Sequence, residues 1–62
     1  LPQFSGLCAT GISKDMKGTG DPNAWKIVDG KLYLFHSPAV REKAEADPAT
    51  LARAHQKWAA RK

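Results

Sequence analysis

Four side chains in this sequence carry soft or nucleophilic chemistry: Cys8, Met16, His36 and His55. A thiol, a thioether and imidazoles make a ligand set suited to copper(I) and, less well, to zinc. No two of them fall at the i, i+3 or i, i+4 separation that puts a pair of ligands on one helix face. Any such centre must therefore be assembled by the fold. Cys8 lies among small residues, and at a helix start the backbone N–H groups would favour its thiolate, which suits redox work. It is the only cysteine of the chain. With no second thiol to close a disulfide, a redox cycle at Cys8 needs a sulfenic acid, an outside thiol or a resolving cysteine upstream. The plainer reading of a free cysteine is a small buried hydrophobe, and that of His36 an ordinary hydrogen-bonded residue at a strand end. His55 shares a helix face with Leu51 and Trp58, a position that suits packing.

Other chemistries find little support. Ser13, Ser37, His36 and His55 are present, but no nucleophile elbow surrounds a serine. Gly18-Thr19-Gly20 lacks the spacing of a phosphate loop and the strand that precedes one. Asp21, Asp29 and Asp47 stand before proline or glycine, where they serve as cap or turn residues. Trp25 and Trp58, with Arg53, Lys57, Arg61 and Lys62, are the ingredients of a single-strand nucleic-acid platform. Both tryptophans nevertheless fall at apolar-face positions that predict core packing, and basic residues near a helix C-terminus are favoured by its dipole without a ligand. Nucleic acid is not the expected partner. The net charge of +4 arises entirely in residues 51–62, because residues 1–50 hold six basic and six acidic side chains. No apolar run approaches the roughly 20 residues that cross a bilayer.

The elements that must position these groups are marked by three dipeptides, Asp21-Pro22, Ser37-Pro38 and Asp47-Pro48, each of which reads as a helix start with proline at the first helical position. The first opens only a turn, Pro22 to Trp25, because Lys26-Ile27-Val28 leads into Asp29-Gly30, a strong hairpin signal. A two-residue turn there pairs Val28 with Lys31, Ile27 with Leu32, Lys26 with Tyr33 and Trp25 with Leu34. One face then carries Trp25, Ile27, Leu32, Leu34 and His36 and is expected to be the core face. The other carries Lys26, Val28, Lys31, Tyr33 and Phe35. Pro38 to Ala46 reads as a short charged helix with Val40 and Ala44 as its apolar stripe, and Pro48 to about Arg61 as a longer amphipathic one. In the latter, Leu51, Ala54, His55 and Trp58 line one face and Arg53, Lys57 and Arg61 another. Residues 5–20 are small, weakly apolar and then glycine-rich, without a clear element.

The expected fold class is α+β, one module over residues 1–62, with a β-hairpin packed against two C-terminal helices. A chain of 62 residues buries only about 60% of its unfolded surface, and an isolated hairpin is marginal in water. Two short helices can cover one face of the ribbon. The sheet is therefore expected to be completed by an upstream segment or by a second protein chain, the latter giving a homodimer or swapped assembly. The opening Leu1-Pro2-Gln3-Phe4 reads like the interior of a longer protein.

The run Gly20-Asp21-Pro22-Asn23-Ala24-Trp25-Lys26-Ile27-Val28-Asp29-Gly30-Lys31-Leu32-Tyr33-Leu34 resembles the C-terminal half of small bacterial YHS-domain proteins, which carry a DP-x-x-W-x-(I/V)-V-D-G-K-L-Y-L segment. Pro2 to Ala9 resembles their P-x-Y-G-G-Y-C-A stretch, Asp47-Pro48 their D-P after the first helix, and Ala54 to Trp58 their closing A-x-x-x-W. The resemblance implies an α+β fold whose upstream half supplies further strands, and a periplasmic or cell-envelope location. Tyr33-Leu34-Phe35-His36-Ser37 is similar to the Y-x-F-(C)-S signature of the YHS module, with His36 at the cysteine position. Some members carry selenocysteine where this chain has Cys8. The resemblance implies metal or redox-ligand handling centred on Cys8, with His36 at the position of a second metal ligand; the ion that these donor types suit is copper or zinc. Ser5 replaces a glycine of the family pattern, Leu7 an aromatic residue, and Phe35-His36 a segment that usually begins with Asn. The alternative reading is a structural or protein-interaction module without a bound ion, in which the basic C-terminal helix contacts an acidic partner.

Overall fold

Asp29-Gly30 closes the hairpin as its residue types require. Both adopt positive φ, 52° and 76°, the pair of left-handed conformations that lets a two-residue turn follow the twist of its strands. A computed structural model describes residues 2–60. In it β1 (Asp21–Val28) and β2 (Lys31–Phe35) are antiparallel, with Val28, Ile27, Lys26 and Trp25 opposite Lys31, Leu32, Tyr33 and Leu34. The register is the one the turn predicts. The expected helical turn from Pro22 to Trp25 does not form, and the segment is strand from Asp21 onward. Asp21 Oδ1 accepts the Asn23 N–H at 2.9 Å, and Pro22 sits near the start of an edge strand, where its missing N–H costs no ladder bond. An irregularity between Asp21 and Trp25 absorbs the residues that do not fit the ladder.

The other edge of β2 is met by the N-terminal segment. Pro2 bridges Leu32 and Cys8 bridges Leu34, both in parallel sense, and Leu7 bridges Thr19. Between the first two contacts the chain leaves the sheet in a 3-10 turn, Gln3–Gly6, in which Phe4, Ser5 and Gly6 all have positive φ (57°, 55° and 81°). Such backbone costs an L-residue about 1–2 kcal/mol. At Phe4 this cost is offset by burial of the ring. Ser5 is exposed and has no such compensation. Ser5→Gly is therefore expected to stabilise the protein by about 1 kcal/mol, visible as a rise of about 4–8 °C in the midpoint of a thermal melt.

Three helices complete the chain. The five-residue α1 (Ala9–Ser13) packs on α3 (Ala49–Ala60), where Ala9, Ile12 and Ala54 are fully buried. Small residues at this crossing let the two backbones approach. Helix α2 (Pro38–Ala46) begins as Ser37-Pro38 predicts: the Ser37 hydroxyl accepts the Val40 N–H at 3.3 Å. Asp47 performs the same service before α3, its Oδ1 accepting from Ala49 N–H at 3.2 Å. Among the described residues no helix is long and apolar enough to cross a membrane.

The core is built of Phe4, Cys8, Ala9, Ile12, Ala24, Tyr33, Phe35, Ala44 and Ala54, with Leu7, Val28, Val40, Leu51 and Trp58 packed against it. This reverses the expected faces of the ribbon. Tyr33 and Phe35 point inward, whereas Trp25 and Ile27 are 51% and 59% exposed, Leu32 and Leu34 are half-buried and His36 is exposed. Core packing of Trp25 is thus corrected. The cause lies in residues 4–12, whose apolar side chains join α2 and α3 on the Tyr33 face. Their contribution made that side the deeper one. Lys26 tolerates the inward face because it is only half-buried and reaches Glu45 Oε2 at 2.9 Å.

Candidate functional site

His55 and Cys8 occupy different surroundings. On α3, His55 lies in an aromatic cluster: its ring centroid is 4.9 Å from that of Phe4 and 5.7 Å from that of Tyr33, and Phe4 meets Trp58 edge-on at 5.7 Å. The Tyr33 hydroxyl and His55 Nε2 share a hydrogen bond of 2.7 Å. Burial, and secondarily the charge of Asp29, raises the Tyr33 phenol above its usual range. The group pins β2 to α3, and His55 belongs to packing, as its helix position suggested.

Cys8 caps α1 and is 3% exposed. Its side chain makes no capping hydrogen bond. Its backbone is held from both sides: the Cys8 N–H donates to the Gly18 carbonyl at 2.8 Å, and the Cys8 carbonyl accepts from Ile12 N–H at 3.0 Å. The loop between Lys14 and Gly18 folds back over it, fixed by the Met16 N–H on the Gly11 carbonyl at 2.8 Å. Gly11 and Gly18 stand beside Cys8. A Cβ on either would lie 3.7 or 3.6 Å from the Cys8 Cβ. Asp15, with φ of 59°, turns this loop and ties it to α3 through an ion pair with Lys57 at 3.0 Å.

These elements bring three of the four soft side chains to one place. Cys8, Met16 and His36 line a single cavity of about 280 Å³, together with Thr10, Gly18 and Val40. They arrive from the start of α1, the following loop and the end of β2, so no spacing along the chain could show their convergence. Met16 is 59% exposed and forms the outer rim. His36 Nδ1 lies 3.3 Å from the Thr19 carbonyl oxygen. A carbonyl only accepts, so this contact places the proton on Nδ1 and leaves the Nε2 lone pair available in the neutral ring. The Thr10 hydroxyl, at the same wall, is buried with no hydrogen-bond partner among the described residues. Sequence reading offered nothing for Thr10, since an isolated threonine in a small-residue run carries no signal.

The basic face of α3 is less available than the sequence suggests. Arg53 Nη2 contacts Asp47 Oδ2 at 3.2 Å, and Lys57 pairs with Asp15. The hydrogen bond from Arg53 holds the Asp47 carboxyl below its usual range, and the bond from Lys26 does the same for Glu45. Arg61 and Lys62 lie outside the described residues. Compared with known proteins, the chain matches no family model, no curated protein and no solved structure.

Proposed function

We propose that this protein is a soft-metal handling module that takes up copper(I) at Cys8, Met16 and His36, and that, given its resemblance to YHS-domain proteins, it serves in the bacterial envelope. The observation that carries the reading is the single cavity shared by a thiol, a thioether and an imidazole. That donor set matches copper(I), which prefers thiolate and thioether ligands. A closed zinc site wants four nitrogen, sulfur or oxygen ligands, and among the described residues no three His, Cys, Asp or Glu side chains converge. The arrangement therefore fits copper(I) better than zinc. Cys8 would anchor the ion, the exposed Met16 would meet it first, and His36, held at Nδ1 by Thr19, would offer Nε2.

Anaerobic competition against a coloured copper(I) chelator tests this. The wild-type chain is expected to withdraw one equivalent of copper(I). Cys8→Ser should lower the affinity by about 100-fold, and Met16→Leu and His36→Gln by about 10-fold or more each, with far-UV spectra unchanged. A wild-type chain that leaves the chelator's colour intact, or a Cys8→Ser variant that competes equally well, overturns the reading.

A further inference from the structure

The edge of β1 that faces away from β2 is open backbone. In a hairpin with a two-residue turn, the flanking residues, here Val28 and Lys31, exchange the first ladder hydrogen bonds, and the next exchange falls at Lys26 and Tyr33. The N–H and C=O groups of Trp25 and Ile27 consequently point outward. Among the described residues the bridges beyond the hairpin involve Pro2, Leu7, Cys8, Thr19, Leu32 and Leu34, none of them on β1. The side chains of the same two residues are more than half exposed. Beside them runs a cleft of about 350 Å³ whose far wall is Lys26, Arg41 and Glu45. Two cations share one carboxylate on that wall: Lys26 Nζ stands 2.9 Å from Glu45 Oε2, and Arg41 Nε stands 3.7 Å from Glu45 Oε1.

We infer that β1 is a docking edge for an extended peptide of alternating apolar and acidic residues, added beside Trp25 and Ile27 as a further strand. Side chains of an added strand alternate between faces, so one set meets Trp25 and Ile27 while the other meets Lys26 and Arg41. The outward main-chain groups supply the hydrogen bonds, the exposed side chains the apolar contact, and the surplus cation the preference for acid. A second copy of the chain fits less well. The register that joins the outward groups of both copies sets Trp25 opposite Ile27 and therefore Lys26 opposite Lys26, like charges directly across a strand pair. An acidic strand turns that repulsion into attraction. This edge lies outside the Cys8 cavity, and the inference stands without the copper reading.

The test adds an end-blocked peptide of alternating glutamate and valine to the isotope-labelled full chain. The amide signals of Trp25 and Ile27 are expected to shift and to gain protection from hydrogen exchange. Binding should weaken by about tenfold or more for a peptide of the same composition with its glutamates and valines in separate blocks. It should weaken likewise for Arg41→Glu and for Ile27→Pro, which removes one outward donor and leaves the ladder to β2 intact. A peptide of alternating lysine and valine should recover affinity on Arg41→Glu. Unmoved Trp25 and Ile27 amides overturn the inference, as does equal binding of the blocked peptide or an Arg41→Glu variant that binds like wild type. Sedimentation showing that the chain pairs with itself through these amides also overturns it and gives the edge to a second copy.

Discussion

Phe35→Ala is expected to destabilise the protein by about 3–5 kcal/mol, lowering its urea unfolding midpoint by about 2 M or more. Phe35 is 1% exposed and, with Ile12, one of the two largest fully buried side chains. Its ring lies at the end of β2, lining a space with Val28, Ala44 and Leu51, so it joins the sheet to α2 and α3. Removing a buried phenylalanine costs about 3–5 kcal/mol in lost transfer energy and cavity formation. A domain of this size holds roughly 0.05–0.15 kcal/mol per residue, which comes to about 3–9 kcal/mol in all. The substitution therefore removes between about a third and all of the stability. Urea titration followed by far-UV circular dichroism checks the expectation. A variant that retains a sigmoidal transition near the wild-type midpoint would show that the ring is not the keystone described above.

Gly20→Ala is expected to be nearly as damaging, for a reason unrelated to core volume. A Cβ at Gly20 would overlap the Gly6 carbonyl oxygen and lie 2.6 Å from the Leu34 Cβ. The first obstacle is backbone and the second is the rigid base of a side chain on β2, so neither can yield by a rotamer change. The chain around residues 18–20 must instead move away, loosening the Leu7–Thr19 bridge and the Cys8–Gly18 hydrogen bond. We expect a loss of about 3 kcal/mol, at the upper end of overpacking costs, and a urea midpoint lower by about 2 M. A midpoint within about 0.5 M of wild type would mean that the crossing at Gly20 is looser than drawn. Gly30→Ala is a different case, since nothing lies within 4 Å of a Cβ there and only its φ of 76° resists.

Local chemistry was readable in the sequence wherever one segment decides it. Asp29-Gly30 specified the turn and with it the register of four residue pairs, and Ser37-Pro38 marked the first residue of α2. Asp21-Pro22 misled because an Asp-Pro pair also suits the beginning of an edge strand, where the aspartate bonds the Asn23 N–H instead of a helix. The choice of inner face was illegible for a related reason: alternation divides a strand into two sets but does not say which set finds cover. Here Phe4, Cys8, Ala9 and Ile12, in a stretch too small and too weakly apolar to announce itself, gave that cover to Tyr33 and Phe35. The convergence of Cys8, Met16 and His36 depends on the same stretch. His55 shows the converse, since its spacing with Leu51 and Trp58 was enough to assign it to packing.

The pairing of Cys8 with Leu34 has a bearing on how the molecule is made. A ribosome delivers the chain from its amino end at about 5–20 residues per second, so Phe4, Cys8 and Ile12 emerge well before β2 and α3, against which they are buried. For a few seconds that apolar stretch has no native neighbour, and the thiol stays open to oxidants and stray metal ions. Helix α3, which packs on α1, emerges only after all of these residues.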